Sequence, residues 1–319
     1  MGSGEKGYAP GSQAANLVNT ESVIEPRFER IRPIGSGATG RVELVRLLED
    51  WMGLAKGSEL ALKTLDPKQS DEQEAQRAFE AEAEAGKLVQ NPSLVRVLYQ
   101  GQSQGERFLL MEYVPGRTLR AVMIEGPVPE PLVRSVGAQL AEALAAVHAA
   151  DLVHGDVKPE NIRINEAGRA VLLDLGFARR LGDLESSADM GSLAYLSPER
   201  AQGAGPSQAA DVFALGMVLY EMATGLHPFL HGGLDTRTVQ EPGMQLPPGT
   251  VSSSGELFRS SLKLRSMDEV LEALGRAQFV PPSRFDLTLS PLFDLLCAET
   301  MARGTALRPS AAELRERLR

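Results

Sequence analysis

Apolar and polar positions change rhythm along the chain, and the change divides it in two. From Phe28 onward short apolar stretches predict strands at Phe28 to Pro33, Arg41 to Leu48 and Glu59 to Leu65. The composition then turns to Glu, Ala and Gln from Asp71 to Val89, which predicts a helix, and Asn91-Pro92 ends it. Gly86 weakens that helix by about 1 kcal/mol relative to alanine. Two more strands follow, Leu94 to Tyr99 and Arg107 to Met111, and Glu112-Tyr113-Val114-Pro115-Gly116 reads as a linker.

Beyond the linker the helical period dominates. A short helix is predicted near Thr118 to Ile124 and a long one over Glu130 to Ala150, where Val133, Val136, Leu140, Leu144 and Val147 recur at helical spacing. Two short strands, Ile162 to Asn165 and Ala170 to Leu173, surround a turn at Gly168. Asp211 to Thr224 is apolar on most faces and is expected to be a buried central helix. Further helices are expected at Met267 to Ala277, Pro291 to Arg303 and Ser310 to Leu318, with Ser290-Pro291 as a helix start. A β-rich first part followed by a mainly helical second part predicts an α+β fold.

Two stretches lack any period. Residues 1–23 are rich in Gly, Ser, Ala and Asn and are expected to be a disordered tail. Residues 230–266, polar and rich in Gly, Pro and Ser, are expected to be a long loop insertion. No internal repeat is visible.

Composition narrows the classes. The 319 residues suffice for two lobes, each with its own core. A net charge of -9 with no basic stretch speaks against nucleic-acid binding. One cysteine, Cys297, excludes an intramolecular disulfide framework, and the four histidines have no metal-ligand spacing with it. No apolar run reaches the length of a membrane span, and no signal-peptide core is present. The chain begins Met-Gly, but Lys6 stands where a myristoylation signal wants Ser or Thr. These features lead us to expect a cytoplasmic protein.

The candidate chemistry is concentrated in Val153-His154-Gly155-Asp156-Val157-Lys158-Pro159-Glu160-Asn161-Ile162. Asp156 can accept a proton from a hydroxyl, Lys158 can neutralise a phosphoryl group, and Asn161 can hold a metal ion by its amide oxygen. That set suits phosphoryl transfer, where catalysis is mostly positioning and charge stabilisation. Gly35-Ser36-Gly37-Ala38-Thr39-Gly40-Arg41-Val42 lets backbone N–H groups approach phosphates. The same glycine spacing occurs in dinucleotide folds between strand and helix, but the β-prone residues after it favour strand–turn–strand and a flap over a nucleotide. Lys63 lies in an apolar strand, where burial requires an anion; an edge lysine in solvent is the alternative. Asp174, at a strand end before Leu175-Gly176-Phe177, is placed to bind a hard cation such as Mg²⁺. Trp51, in an enlarged loop, is expected to pack on the first lobe.

In order and spacing these motifs make the chain resemble eukaryotic-type Ser/Thr protein kinases, in the compact layout of bacterial members. Besides those above, the resemblance rests on Ala61-Leu62-Lys63, Glu112-Tyr113-Val114, Gly191 to Glu199 and Asp211 to Gly216, and it runs from about Phe28 to the C-terminus. It implies a bilobal kinase-like fold, with an N-lobe over 24–114 and a C-lobe over 115–319. It also implies ATP as cofactor with Mg²⁺, or Mn²⁺ as an alternative, and protein Ser/Thr hydroxyls as acceptors. Gly35, Ser36, Gly37, Gly40, Val42 and Ala61 would belong to the ATP site. Lys63 would hold the α- and β-phosphates and pair with Glu82, or alternatively Glu84, on the Asp71 to Val89 helix. Met111 would be the gatekeeper, and the backbone of Glu112 and Val114 would meet adenine. Asp156 would be the catalytic base and Lys158 would sit beside the transferred phosphoryl. Asn161 and Asp174 would hold the metal ions, and Glu199 would pair with Arg308.

The chain departs from the family pattern at three points. Gly155 replaces the arginine that normally receives an activation-segment phosphate, and His-Gly-Asp also occurs in kinase-like small-molecule phosphotransferases. Leu175 stands where phenylalanine is usual. Arg163 occupies the place of an apolar residue under adenine, where a guanidinium could stack on the base or crowd it. Gly86, Gly155 and Arg163 motivate the alternative of a pseudokinase or signalling scaffold without turnover. Ser186 and Ser187 are either autophosphorylation sites, with Arg179 or Arg180 as candidate phosphate partners, or plain exposed loop serines.

Overall fold

The inward face of the first sheet explains why an apolar strand can carry a lysine. The computed structural model describes residues 26–37, 40–65, 72–103, 106–180, 193–232 and 263–319. Within them, β1 (Phe28–Gly37), β2 (Gly40–Leu47), β3 (Glu59–Thr64), β4 (Val97–Ser103) and β5 (Glu106–Glu112) form one antiparallel sheet, ordered β1-β2-β3-β5-β4. Side chains alternate between its faces. Leu60 and Leu62 join Val45, Leu47, Trp51, Phe108 and Leu110 in the outer cluster. Ala61 faces the other way and packs with Phe79, Val97, Leu109 and Met111, and Lys63 shares its face. Trp51 is buried edge-on against Tyr99, 5.6 Å between ring centres, as expected of a packing residue.

One helix, α1 (Glu72–Leu88), lies on this inner face through Phe79 and Ala83. Its Gly86 permits close approach: a β-carbon there would lie 2.6 Å from the β-carbon of Val97 in β4. The weakness expected of this helix is therefore the condition for its packing.

After the linker at residues 113–116 come β6 (Arg117–Thr118), α2 (Leu119–Met123) and α3 (Glu130–Ala149). Then follow β7 (Leu152–Val153), β8 (Ile162–Ile164), β9 (Ala170–Leu172) and β10 (Arg179–Arg180). The rest of the described chain is mainly helical: α4 (Pro198–Ala201), α5 (Gln208–Thr224), α6 (Met267–Arg276), α7 (Pro291–Thr300) and α8 (Ala311–Leu318). Helix α5 is the centre of this part. Ser207 caps its start by accepting the Ala210 N–H, Gly225 at φ 70° ends it, and Asp211 through Thr224 are all buried. Fully burying a side chain such as Phe213 or Leu219 is worth about 2 kcal/mol relative to exposure, so α5 anchors everything packed on it.

Several strand and helix ends differ from expectation by a few residues, the fourth strand among them, which runs on to Ser103 rather than Tyr99. β1 runs on to Gly37, because Gly35 pairs with Val42 and Gly37 with Gly40 in the β-ladder. The fourth strand starts at Val97 rather than Leu94, since Leu94 forms an isolated bridge to Leu172 in β9. α7 stops at Thr300, three residues short of Arg303, where the Met301 N–H bonds back to Cys297. The ends of the stretch expected to be an insertion meet in a two-stranded pairing, β11 (His231–Gly232) with β12 (Lys263–Leu264). Residues 233–262 between them, the N-terminal tail, Ala38, Thr39, Gly191, Ser192, Ser186 and Ser187 lie outside the described residues. Among the described residues no helix is long and apolar enough to cross a membrane.

The two parts are joined by more than the linker. The Val95 N–H donates to Leu172 O at 2.9 Å and the Leu172 N–H donates to Ser93 O at 2.8 Å. Arg169, before β9, reaches Pro92 O at 2.8 Å and the Glu112 carboxylate at 3.2 Å. A cleft of about 770 Å³ opens between them.

Candidate functional site

Strand β3 delivers Lys63 into this cleft because the period-2 alternation that buries Leu62 on one face turns its neighbour to the other. Its ammonium lies 2.5 Å from Glu82 on α1 and 3.2 Å from Asp174. Burial alone would push Lys63 down, but the two carboxylates outweigh it and hold the ammonium above the ordinary lysine range. Burial pushes the Glu82 carboxyl up, and Lys63 pulls against that shift. The partner of Lys63 is thus Glu82. Glu84 points elsewhere and meets Arg180 at 2.8 Å, with both side chains exposed.

Asp174 follows the apolar β9 run and adopts φ 58°, a left-handed conformation that aspartate tolerates better than most residues. Its Oδ1 accepts the Gly176 N–H at 3.2 Å as well as the Lys63 contact. Burial pushes its carboxyl up, yet Lys63 and the Gly176 N–H prevail and hold it below the usual range. It stays ionised.

The catalytic-loop candidates are held from below by α5. Asp211, in the first turn of that helix, accepts the backbone N–H of His154 at 2.8 Å and of Gly155 at 2.9 Å. It also accepts from His148 Nε2 at 2.9 Å. His154 is fully buried, with Nε2 on Leu173 O at 3.1 Å and Nδ1 facing the Asp156 N–H at 3.3 Å. In this arrangement Nε2 donates to the Leu173 carbonyl and Nδ1 accepts from the Asp156 N–H. Asp156 is thereby fixed at the cleft. Lys158 approaches its Oδ2 at 2.6 Å, and Asn161 Nδ2 donates to Oδ2 at 2.8 Å and to its carbonyl at 2.9 Å.

The amide of Asn161 spends its nitrogen on Asp156, which leaves its oxygen for a cation. With the ionised Asp174 this is an oxygen donor set suited to a hard divalent ion such as Mg²⁺. At the roof, Gly40 has φ 138° and a β-carbon there would collide with the Thr64 backbone, so the β1–β2 turn must carry glycine at this position.

The cleft brings together Gly35, Gly40, Val42, Ala61, Lys63, Glu82, Met111, Glu112, Val114, Asp156, Lys158, Asn161 and Asp174. Ser36 and Gly37 have described backbone in β1, and their position in the cleft lies outside what is described. The Glu112 N–H is already bonded to Arg96 O at 2.9 Å, so of its backbone groups the carbonyl is the one left for a ligand. Sequence reasoning missed Ile34, Val95, Thr118 and Leu173, which also line the cleft. Leu173 was within reach, since it lies between the apolar strand β9 and Asp174; Val95 was not, because it lies outside β4 and is placed by its bond to Leu172 O, far away in the chain.

Gly155 has φ 81°, and a β-carbon there would lie 2.8 Å from Phe177 O. Arg179 bonds to Ala178 O at 2.9 Å and to Gly176 O at 3.2 Å, so both arginines considered as phosphate partners have other contacts. Glu199 takes Arg308 in a two-point pair at 2.7 and 2.8 Å, and the Arg308 guanidinium stacks 4.7 Å from the Phe213 ring centre. Tyr195, near Glu199 in the chain, joins a second network in which Arg120 reaches Glu160 at 2.7 Å, Glu221 at 2.6 Å and the Tyr195 hydroxyl at 2.5 Å.

Comparison with known proteins agrees with this geometry. The protein kinase domain family model matches residues 28–316. A probable serine/threonine-protein kinase of Clostridium perfringens is 31% identical over 254 residues, covering 77% of this chain and 36% of the relative. Serine/threonine-protein kinase PknL of Mycobacterium tuberculosis is 38% identical over 174 residues, 53% of this chain and 44% of its own. Serine/threonine-protein kinase PrkC of Bacillus subtilis is 32% identical over 210 residues, 65% of this chain and 32% of its own. The chain thus spans less than half the length of each of these relatives.

Proposed function

The chain belongs to the protein kinase domain family, and on that premise we propose that it transfers the γ-phosphoryl group of ATP to a Ser or Thr hydroxyl of a protein. The observation that carries the proposal is one cleft holding two sets of groups. Lys63 is paired with Glu82 and Asp174 on one side, and Asp156 is held by Asn161 and Lys158 on the other. The first set suits a triphosphate; the second suits a hydroxyl and the group it attacks.

In this mechanism Glu82 fixes the Lys63 ammonium, which binds the α- and β-phosphates. Asp156 orients the acceptor hydroxyl and takes its proton as the oxygen bonds to the γ-phosphorus. The bond from that phosphorus to the bridging oxygen breaks, and ADP leaves. Lys158 offsets negative charge on the moving phosphoryl group. Asn161 and Asp174 are the residues that would hold Mg²⁺, whose chemistry when bound is to neutralise phosphate charge.

A scaffold without turnover was motivated by Gly86, Gly155 and Arg163. Gly86 and Gly155 have steric reasons of their own, against Val97 and Phe177. Support for a protein acceptor comes from the Ser/Thr kinase relatives and from the Glu199–Arg308 pair, which braces the end of the segment leading into α4. Transfer of labelled γ-phosphate to the protein itself or to a general substrate tests the proposal. Transfer by the wild type and its loss in Asp156→Asn is expected; equal transfer by both proteins overturns it.

A further inference from the structure

His227 has no part in the mechanism above, yet it is buried and both of its ring nitrogens are engaged. Helix α5 stops at Gly225, and the Leu226 N–H folds back onto the Thr224 hydroxyl at 3.1 Å. The chain then turns, with Nδ1 of His227 accepting the N–H groups of Phe229 and Leu230, each at 3.2 Å. Phe229 anchors that turn in the core, its ring stacked 5.9 Å from that of Phe213. Because Nδ1 accepts, Nε2 is the donor, and it bonds the Ala194 carbonyl at 2.7 Å. The ring also packs edge-on against Tyr195, 5.4 Å between centres. One imidazole thus joins the end of the central helix to the segment that runs into α4.

That segment borders the catalytic loop. Tyr195, Leu196 and Ser197 face Gly155, Asp156 and Val157 across a cavity of about 20 Å³. A protein that presents a hydroxyl to Asp156 extends about 3.3 Å per residue to either side, so it meets the residues that border this loop. Arg120 holds the segment by the Tyr195 hydroxyl and Arg308 by the Glu199 carboxylate, whereas His227 holds its main chain at Ala194.

We propose that His227 is a positioning residue for the protein acceptor, fixing through the Ala194 carbonyl the wall beside Asp156 that the acceptor meets. This role rests on the phosphotransfer to protein proposed above. Without the bond, the segment is docked in only a fraction of molecules, and an acceptor that needs the docked form binds more weakly by that fraction. None of the groups bonded to the His227 ring lines the nucleotide cleft, so ATP binding is left alone.

Two variants of the full chain separate the two sides of the ring. His227→Gln places an amide N–H near the Nε2 position and keeps the bond to Ala194. His227→Asn places a carbonyl oxygen near Nδ1, which keeps the turn, and does not reach Ala194. KM and kcat are measured for ATP and for casein as a general acceptor, and hydrogen exchange is followed over residues 193–199. The expected result is a KM for casein raised about tenfold in His227→Asn and within about threefold of wild type in His227→Gln. KM for ATP and kcat stay within about twofold of wild type in both. Exchange over residues 193–199 speeds up about tenfold in His227→Asn and not in His227→Gln. Equal casein KM values in the two variants, or a KM for ATP raised as much as that for casein, overturn the proposal. So does a His227→Asn protein that fails to fold, since the ring would then serve the core alone. Unchanged exchange in His227→Asn overturns it whatever the activity. A wild type that labels neither casein nor itself and shows no thermal shift with Mg²⁺–ATP overturns the functional proposal instead, which separates the two failures.

Discussion

Gly86 in α1 and Val97 in β4 touch so closely that any β-carbon on Gly86 would sit 2.6 Å from that of Val97. The contact brings the helix that carries Glu82 down onto the sheet that carries Lys63. Gly86→Ala gains about 1 kcal/mol of helix propensity and loses about 1–3 kcal/mol to overpacking. We expect a net loss of stability and lower phosphotransfer, because α1 must back away from β3. Adding Val97→Ala should recover part of the Gly86→Ala activity defect; a double variant no better than Gly86→Ala alone contradicts the packing account.

Removing the cation from the buried pair isolates its electrostatic role. Lys63→Met leaves Glu82, 1% exposed, without its cation, a change that costs about 3 kcal/mol. Lys63→Met with Glu82→Leu should regain most of the stability in urea unfolding and none of the transfer activity. Recovery of both would mean that Lys63 has only a structural role.

Restoring a side chain at Gly155 should harm the protein rather than repair it. A residue with a β-carbon meets Phe177 O and must hold φ 81°, together worth about 1–2 kcal/mol. Gly155→Ala and Gly155→Arg are both expected to lower the melting temperature and kcat. A faster Gly155→Arg enzyme would show that the loop can rearrange to accept an arginine.

Stability should fall in acid through Asp211. Burial pushes its carboxyl up, but His148 and the loop amides outweigh that and set it below the usual range. A group depressed in the folded state contributes stability above its unfolded pKa of about 3.9, and that contribution is lost as pH falls through the lower folded value. Urea unfolding from pH 6 down to pH 2 should therefore steepen below about pH 4. Asp211→Asn should flatten part of that slope while losing about 3 kcal/mol near neutrality. An unchanged slope would assign the acid sensitivity to other carboxylates.

Much of the site was legible because its residues carry chemistry in short, fixed spacings. Lys63, Asp156, Asn161 and Asp174 meet in one cleft as their motifs imply. The choice between Glu82 and Glu84 was open on charge alone. Phe79 decides it: it faces the sheet, and Glu82, three residues on, shares its side of the helix while Glu84 does not. What was not legible depends on contacts across long sequence separations. Gly86 looked like a weakness because Val97 is not its neighbour in the chain, and Gly155 looked like a lost arginine because Phe177 lies beyond two strands. Arg163 lines the same cleft, but the direction of its head depends on the Gly116 carbonyl, which the sequence does not place beside it.

The attachment of His154 and Gly155 to Asp211 also bears on hydrogen exchange. Their two amide protons end on a carboxylate inside the most buried helix of the described chain. They can exchange with deuterium only when the loop leaves α5, so their protection should track global unfolding rather than local fraying. The loop that leads into Asp156 would then be among the last to open, and the easier motions of the cleft would belong to its roof and the linker.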